Sequence, residues 1–326
     1  MGEPGGVSAE ITAKAWLSCQ DTGPQFFVID APDRFRQLDV PVTEITDPGQ
    51  CTEAFKASLP VLPLTKKVHS IPGAPSPDNA SAVIESIERA VTLTLKGAAS
   101  AVVTNPIQKS SLQSAGFRFP GHTEFLAALT QDTPMQSGRM RGPVMMIAGP
   151  ELRTVPVTIH LAVKDAVRTL TPDLIFNAAM VTAQALQFDF SVKAPRIAVS
   201  GLNPHAGEAG SIGMEDGLII EPAIDCLREA GIDARGPLPA DTMFHAEARE
   251  TYDVAICMLH DQALIPAKTL AFHDGVNVTL GLPIIRTSPD HGTALDIAGK
   301  NIARADSLIA SLKMAEQLAS SRHSAG

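Results

Sequence analysis

The chain has 326 residues, of which 44% are hydrophobic and 19% are charged, a composition typical of a globular protein that can bury a large core. Its formal net charge of -9 argues against a nucleic-acid-binding surface, because such a surface needs a basic patch that displaces counterions from phosphates. No run of about 18 apolar residues is present, and the first residues lack the pattern of a secretory signal. We therefore expect a cytoplasmic protein with no membrane or nucleic-acid partner.

Short β-branched apolar runs alternate along the chain with longer runs of helical period. This alternation predicts an α/β fold with a largely parallel sheet. The predicted strands are residues 26–30, 100–104, 144–149, 155–163, 196–201 and 254–259. The predicted helices are residues 171–186, 213–230 and 303–319, the first with Thr171 as its N-cap.

Two kinds of interruption organise the chain. Residues 60–77 are rich in proline, and we expect an irregular loop there. Residues 123–142 are polar and contain glycine, which predicts a break between two lobes, with a return crossing near Pro266. The predicted lobes are residues 1–125 with 266–326, and residues 126–265.

Three histidines are placed at the ends of predicted strands. His160 closes the run VPVTIH, His205 lies in the loop after RIAVSG, and His260 closes VAICMLH. In an open α/β sheet, the carboxyl ends of the strands line the crevice in which ligands bind. Three neutral imidazoles that meet there can hold a divalent metal, although their spacing matches no local zinc motif. The alternative, that each histidine is a hydrogen-bonded structural residue, stays open at this point.

Further polar residues are threaded through glycine-containing sequence. The loop 201–217 has five glycines between a strand and a helix, which would let backbone amides approach an anion or would simply make the loop flexible. Residues 261–300 include Lys268, Asn277 and Arg286, and cationic side chains near a crevice suit a phosphate or carboxylate. In FPGHTEFL, His122 and Thr123 begin a helix-like run, where Thr123 could also act as an N-cap.

Four blocks of sequence resemble the 4-hydroxythreonine-4-phosphate dehydrogenase family of pyridoxal 5'-phosphate biosynthesis. They are TNPIQKSSLQSAGFRFPGHTEFL, SGLNPHAGEAGSIGMED, GPLPADTMF and the long run from YDVAICMLHDQ to SPDHGTALDIAG. The resemblance covers nearly the whole chain. It implies an isocitrate/isopropylmalate-dehydrogenase-like fold with two α/β lobes and the active site in the cleft between them. The lobe formed by residues 126–265 would carry the dimer contacts and the metal ligands.

The resemblance also implies a cofactor, a metal and a set of site residues. The enzyme would be a homodimer that uses NAD or NADP and one divalent metal, such as zinc, magnesium or cobalt. Matched by motif, the metal ligands are His160, His205 and His260, the third of them donated across the dimer interface. The substrate-binding residues are His122, Thr123, Lys268, Asn277 and Arg286. Asp241 matches an active-site acid, and Asp241 or Lys268 would be the catalytic base.

The implied reaction is the oxidation of 4-phosphooxy-L-threonine to 2-amino-3-oxo-4-phosphooxybutanoate, which decarboxylates to 3-amino-2-oxopropyl phosphate. One alternative is a sister dehydrogenase of sugar-acid catabolism that oxidises 4-phospho-D-threonate or 4-phospho-D-erythronate. From another class, a non-catalytic binding protein or a phosphate-acyl transferase would not need three histidines around a metal. At its front the sequence departs from the family pattern, because MGEPGGVSAE has no strand before the glycine-rich loop and Glu3 stands where Asp is usual. Either the true start lies upstream, or the first strand is absent, which would leave one edge of the sheet unpaired.

Overall fold

The structure is a computed structural model that describes residues 1–325, apart from the side chains of Ser137 and Ala325. The helices are α1 (Ser8–Cys19), α2 (Asp33–Arg36), α3 (Cys51–Phe55), α4 (Ala80–Leu95), α5 (Lys109–Ser114), α6 (His122–Leu129), α7 (Val163–Thr169), α8 (Pro172–Phe188), α9 (Glu221–Glu229), α10 (Ala246–Arg249), α11 (His260–Leu270) and α12 (Asp306–Ala325). The strands are β1 (Val28–Asp30), β2 (Val42–Glu44), β3 (Leu59–Pro63), β4 (Val102–Val103), β5 (Val144–Ala148), β6 (Arg153–Pro156), β7 (Arg196–Ser200), β8 (Asp233–Leu238), β9 (Val254–Cys257), β10 (Val276–Leu280) and β11 (Arg286–Pro289). In the described part of the chain, no helix has an apolar stretch long enough to cross a membrane.

The chain divides into two compact units. The first unit comprises Met1–Pro134 and Pro283–Ala319, and the second comprises Met135–Leu282 with the residues from Ser320 onward. These bounds differ from the lobes expected from sequence chiefly because Pro266 lies inside α11 rather than at a crossing between lobes. The assignment of dimer contacts and metal ligands to residues 126–265 stays a prediction.

The first unit contains a small parallel sheet in the order β1-β3-β2 and a parallel pair formed by β4 and β11. Its core surrounds Trp16, whose Nε1 donates a hydrogen bond to the Phe55 carbonyl at 2.8 Å. The middle strand, β3, overturns part of the loop expected over residues 60–77. Leu59 and Val61 in this strand are completely buried. The free energy gained by burying them exceeds the cost of the sheet hydrogen bonds that the prolines, which have no amide proton, cannot make.

The second unit contains strands in the order β10-β5-β6-β9-β7-β8. Strands β6, β9, β7 and β8 pair in parallel, whereas β5 pairs antiparallel with both β10 and β6. This parallel-rich sheet with flanking helices confirms the predicted α/β class. The predicted N-cap is confirmed as well, because the Thr171 hydroxyl accepts a hydrogen bond from the Leu174 amide at 3.2 Å, one turn into α8.

Three local predictions near the site need correction. Strand β6 ends at Pro156, so His160 does not close a strand. The amides of Val157 and Thr158 still donate to the carbonyls of Cys257, the last residue of β9, and of Met258, and the backbone then turns at His160, which has a φ of 49°. Helix α6 begins at His122 with Gly121 as its N-cap, so Thr123 is not the cap. The helix expected over residues 213–230 begins with a π-helical turn over Asp216–Ile220 before α9.

Candidate active site

Two of the three predicted metal ligands lie together in the second unit. His160 and His260 line the same pocket, which has a volume of about 520 Å³, and their ring centroids are 6.0 Å apart. His160 stands on the turn after β6, and His260 is the first residue of α11, which is separated from the end of β9 by two residues. Since β6 and β9 are parallel neighbours, their carboxyl ends bring the two imidazoles to one edge of the sheet. Asp241 lines this pocket too, from an exposed position in the short turn Ala240–Thr242.

The neighbour of His260 orients its ring. Nδ1 of His260 lies 2.7 Å from Oδ1 of Asp261. When Nδ1 donates its proton to this carboxylate, the lone pair of the neutral ring is on Nε2, which is the nitrogen available to a metal. Metal-binding histidines commonly have a carboxylate partner of this kind.

The distance between the two rings is short enough for both imidazoles to reach a single divalent ion. A metal bound by an imidazole nitrogen at about 2.0–2.1 Å lies roughly 3 Å from the ring centre, so rings 6.0 Å apart can reach one ion. Among residues 1–325, however, no group of three His, Cys, Asp or Glu side chains converges with the geometry of a metal site. Among these residues, one chain thus offers two neighbouring imidazoles at this pocket.

His205, the remaining predicted ligand, lies on an exposed loop with an uncommon backbone. The segment Pro204–Gly210 holds six consecutive residues with positive φ, from His205 at 53° to Gly210 at 90°. The segment packs against the turn that carries Asp241. His160 has a positive φ as well, so two of the three predicted ligands lie in a conformation that L-residues adopt at an energetic cost.

The other predicted residues of the second unit are Lys268 and Asn277. Lys268 lies in the last turn of α11, two turns beyond His260, and is half-buried. Asn277 is half-buried on β10, where it pairs with Ile147 of β5.

The first unit contains His122, Thr123 and Arg286 in a cation-rich environment. Arg286 begins β11 and is only 4% exposed, and its guanidinium donates hydrogen bonds to the Thr104 hydroxyl at 2.7 and 3.1 Å. Burial lowers the pKa of Arg286 to about 10, so the group is still charged at neutral pH. Burial and then the charge of Arg286 hold the pKa of His122 well below its usual value. The His122 Nε2 atom is buried and has no hydrogen-bond partner among the described residues. A buried guanidinium next to a neutral imidazole with unused hydrogen-bonding capacity suits an anionic ligand.

The lowered pKa of His122 predicts a pH-dependent stability. The native state excludes a proton that the unfolded state binds, so the free energy of unfolding should decrease as the pH falls below about 6.5, by up to about 1.4 kcal/mol per pH unit. In the His122→Gln variant, the free energy of unfolding should fall less steeply as the pH is lowered, because no imidazole is left at this position to take up a proton. Denaturant titrations at pH 7.5 and at successively lower pH values measure the difference. The His291→Gln variant, which removes an exposed imidazole of the same unit, should keep the wild-type profile. Equal profiles for wild type and His122→Gln would contradict the prediction.

Comparison with known proteins places the chain in a family. The family model for the pyridoxal phosphate biosynthetic protein PdxA matches residues 27–315. The chain belongs to the PdxA family. A 4-hydroxythreonine-4-phosphate dehydrogenase from Caulobacter vibrioides is 51% identical over 323 residues, which cover 98% of this chain and 96% of that protein. The enzyme of the same name from Methylorubrum extorquens is 52% identical over 329 residues, which cover 98% and 93%. The crystal structure of 4-hydroxythreonine-4-phosphate dehydrogenase from Klebsiella pneumoniae matches with a TM-score of 0.84 at 33% identity and covers 98% of both chains.

Membership of the PdxA family confirms the resemblance found in the sequence, whereas the individual site residues stay predictions. Sequence reasoning also missed Gln262. The side chain of Gln262 donates from Nε2 to the Gly201 carbonyl and accepts at Oε1 from the Leu259 amide, both at 3.0 Å. It thereby ties the start of the His205 loop to the start of α11. A glutamine at the third position of a helix often makes an N-terminal capping contact, so the bond to the Leu259 amide could have been expected from the sequence. The bond to the Gly201 carbonyl could not, because Gly201 lies 61 residues away in the chain.

Proposed function

We propose that this PdxA-family chain is an NAD(P)-dependent dehydrogenase that oxidises 4-phosphooxy-L-threonine to 2-amino-3-oxo-4-phosphooxybutanoate, which then decarboxylates to 3-amino-2-oxopropyl phosphate. The observation that carries the proposal is the full-length identity of about 50% to relatives that bear the name 4-hydroxythreonine-4-phosphate dehydrogenase. The place of action would be the cytoplasm, in pyridoxal 5'-phosphate biosynthesis.

The proposed metal ligands are His160 and His260 from one subunit and His205 from the other subunit of a homodimer. The family resemblance implied that the third histidine, His260, crosses the dimer interface; we assign the crossing to His205 instead, because His160 and His260 of one chain line the same pocket. Two imidazoles 6.0 Å apart in one pocket support the first pair. A divalent ion held by these residues, whether zinc, magnesium or cobalt, would supply Lewis-acid polarisation of the substrate oxygens.

Exposed apolar side chains next to the histidines support the homodimer. Leu161 and Val163 follow His160 and are 50% and 67% exposed, and Ile265, on the helix that His260 begins, is 64% exposed. All three line the pocket that holds the histidines. Exposed large apolar side chains that cluster on a surface indicate an interaction site. In the proposed homodimer, the second subunit would bury these side chains and place its His205 next to the two histidines.

The remaining residues have roles that follow from their chemistry. The Asp241 carboxylate is exposed in the histidine pocket, so it can accept the proton of the substrate hydroxyl as hydride leaves for the nicotinamide. Lys268 is the alternative base. The guanidinium of Arg286, with His122 and Thr123, would bind an anionic group of the substrate, and Lys268 and Asn277 would complete substrate binding.

A substrate comparison tests the proposed activity. Purified protein supplied with a divalent metal should form NADH or NADPH with 4-phosphooxy-L-threonine, and 3-amino-2-oxopropyl phosphate should accumulate. The kcat/KM for 4-phospho-D-threonate and 4-phospho-D-erythronate, measured in parallel, should be at least about a hundred-fold lower, because these acids carry a hydroxyl in place of the amine and leave the protein groups that bind the amine without their partner. A higher kcat/KM with either sugar acid than with 4-phosphooxy-L-threonine would contradict the proposal and support the alternative dehydrogenase activity.

A further inference from the structure

The left-handed segment that carries His205 needs ties to the rest of the molecule. Four of its six residues with positive φ are not glycine, namely His205, Ala206, Glu208 and Ala209. The left-handed region is disfavoured for L-residues, and successive residues seldom occupy it unless surrounding contacts hold them there. The segment therefore depends on contacts outside itself for its shape.

Asp216 supplies such contacts at the base of the loop. Its side chain is almost completely buried, at 2% exposure, in the π-helical turn that follows the loop. Oδ1 accepts the Leu202 amide at 2.8 Å, and Oδ2 accepts both the Asn203 amide at 3.2 Å and the Asn203 side-chain amide at 2.8 Å. One carboxylate thus fixes the two residues that lead into Pro204 and His205.

The glycines around Asp216 show how closely the loop wraps this carboxylate. A Cβ atom added to Gly201 would lie 2.7 Å from Oδ1 of Asp216, and one added to Gly207 would lie 3.1 Å from Oδ2. Gly207 is itself one of the six residues with positive φ, so the left-handed segment also lies close to Asp216 on the far side of His205. Asp216 therefore contacts the chain both before and after the proposed ligand.

We propose that Asp216 is a positioning residue that holds the left-handed loop in the shape in which His205 is presented to the divalent ion. This inference rests on the proposed role of His205 as a metal ligand. Asp216 acts through the backbone and not through the imidazole, because its recorded hydrogen bonds go to Leu202 and Asn203. Outer contacts of this kind typically change metal affinity by about 10–100-fold when they are removed.

The test measures metal binding to the full-length protein, separately from turnover. In the Asp216→Asn variant an amide group would face the donors of Asn203, and the apparent Kd for Co²⁺, followed through its visible absorption bands, should rise about 10–100-fold. The shape of the Co²⁺ spectrum should change too, since the ligand geometry would be less well defined. The Asp216→Ala variant should give the same shift in Kd and would provide the answer if the asparagine variant did not fold.

Asp189→Asn is the matched control. Asp189 is also a buried carboxylate of the second unit with several hydrogen-bond donors, but its partners are Arg139 and Arg322, neither of which belongs to the His205 loop. This variant should melt at a lower temperature and keep the wild-type Kd for Co²⁺. A Kd within two-fold of wild type in both Asp216 variants, with binding lost in His205→Ala, would overturn the positioning role alone. Wild-type binding in His205→Ala would overturn the metal assignment and the positioning role with it.

Discussion

Replacing His260 with alanine is expected to abolish metal-dependent dehydrogenase activity, with a fall in kcat/KM of at least about a thousand-fold, because Lewis-acid catalysis contributes several kcal/mol of transition-state stabilisation. His260 faces the same pocket as His160, and Asp261 orients its ring. The metal content of the purified variant, measured by elemental analysis, should fall in parallel. The His245→Ala variant, which removes an exposed histidine that pairs with Glu247, should keep both metal and activity.

A mixing experiment separates a shared metal site from one built within a single chain. If His205 comes from the partner subunit, a heterodimer of His260→Ala and His205→Ala subunits contains one site with all three histidines. Unfolding and refolding the two inactive variants together should restore about a quarter of the wild-type activity, since half of the randomly formed dimers would each hold one intact site. No recovery, with normal dimer formation, would mean that His205 and His260 serve the same site from one chain or that the site is not shared.

Asp189→Ala is expected to be the most destabilising single change discussed for the second unit, at about 3–5 kcal/mol. The Asp189 side chain is 4% exposed and accepts hydrogen bonds from Arg139 and Arg322, at distances from 2.6 to 3.0 Å. Burial alone would raise the pKa of Asp189, but the hydrogen bonds from the two arginines hold it below its usual value. The variant would leave two largely buried guanidinium groups without this carboxylate. Differential scanning calorimetry and denaturant titration measure the loss.

An exposed pair gives the control for this prediction. Asp225 pairs with Arg228 at 3.1 Å on the surface of α9, with side chains 66% and 51% exposed. Asp225→Ala should change the free energy of unfolding by less than about 1 kcal/mol, since water screens exposed ion pairs. The stabilisation from Asp189 should persist at neutral pH and disappear in acid, as the pH falls through its lowered pKa. Equal effects of the two substitutions would contradict a special role for burial.

The sequence allowed much of the fold to be predicted where local preference and burial agree. β-Branched runs such as VMMIA and VAIC became strands, and Thr171 followed by Pro172 marked the start of α8. The prediction was wrong where tertiary contacts decide. Residues 157–163 look like strand sequence, yet the chain leaves the sheet because a left-handed turn at His160 redirects it.

The candidate site was predictable in part for a similar reason. Strands β6 and β9 are parallel neighbours, so the residues that follow them lie close together. The sequence predicts that His160 and His260 meet at strand ends, and the two rings do lie near each other although β6 ends earlier than expected. The role of Asp216 could not be found in this way. In the sequence it is an acidic residue at the start of a helix, and only the folded backbone shows that it accepts hydrogen bonds from the two residues before Pro204.

The two units differ in their intrinsic chromophores. The chain contains one tryptophan and one tyrosine. Trp16 lies in the core of the first unit, and Tyr252 lies in the core of the second, where its hydroxyl donates to the Met243 carbonyl at 2.8 Å. Selective excitation of the indole therefore reports the first unit, while the absorption of the phenol reports the second. Without any added label, the two signals can show whether the units melt together or in sequence, and which of them a bound ligand protects.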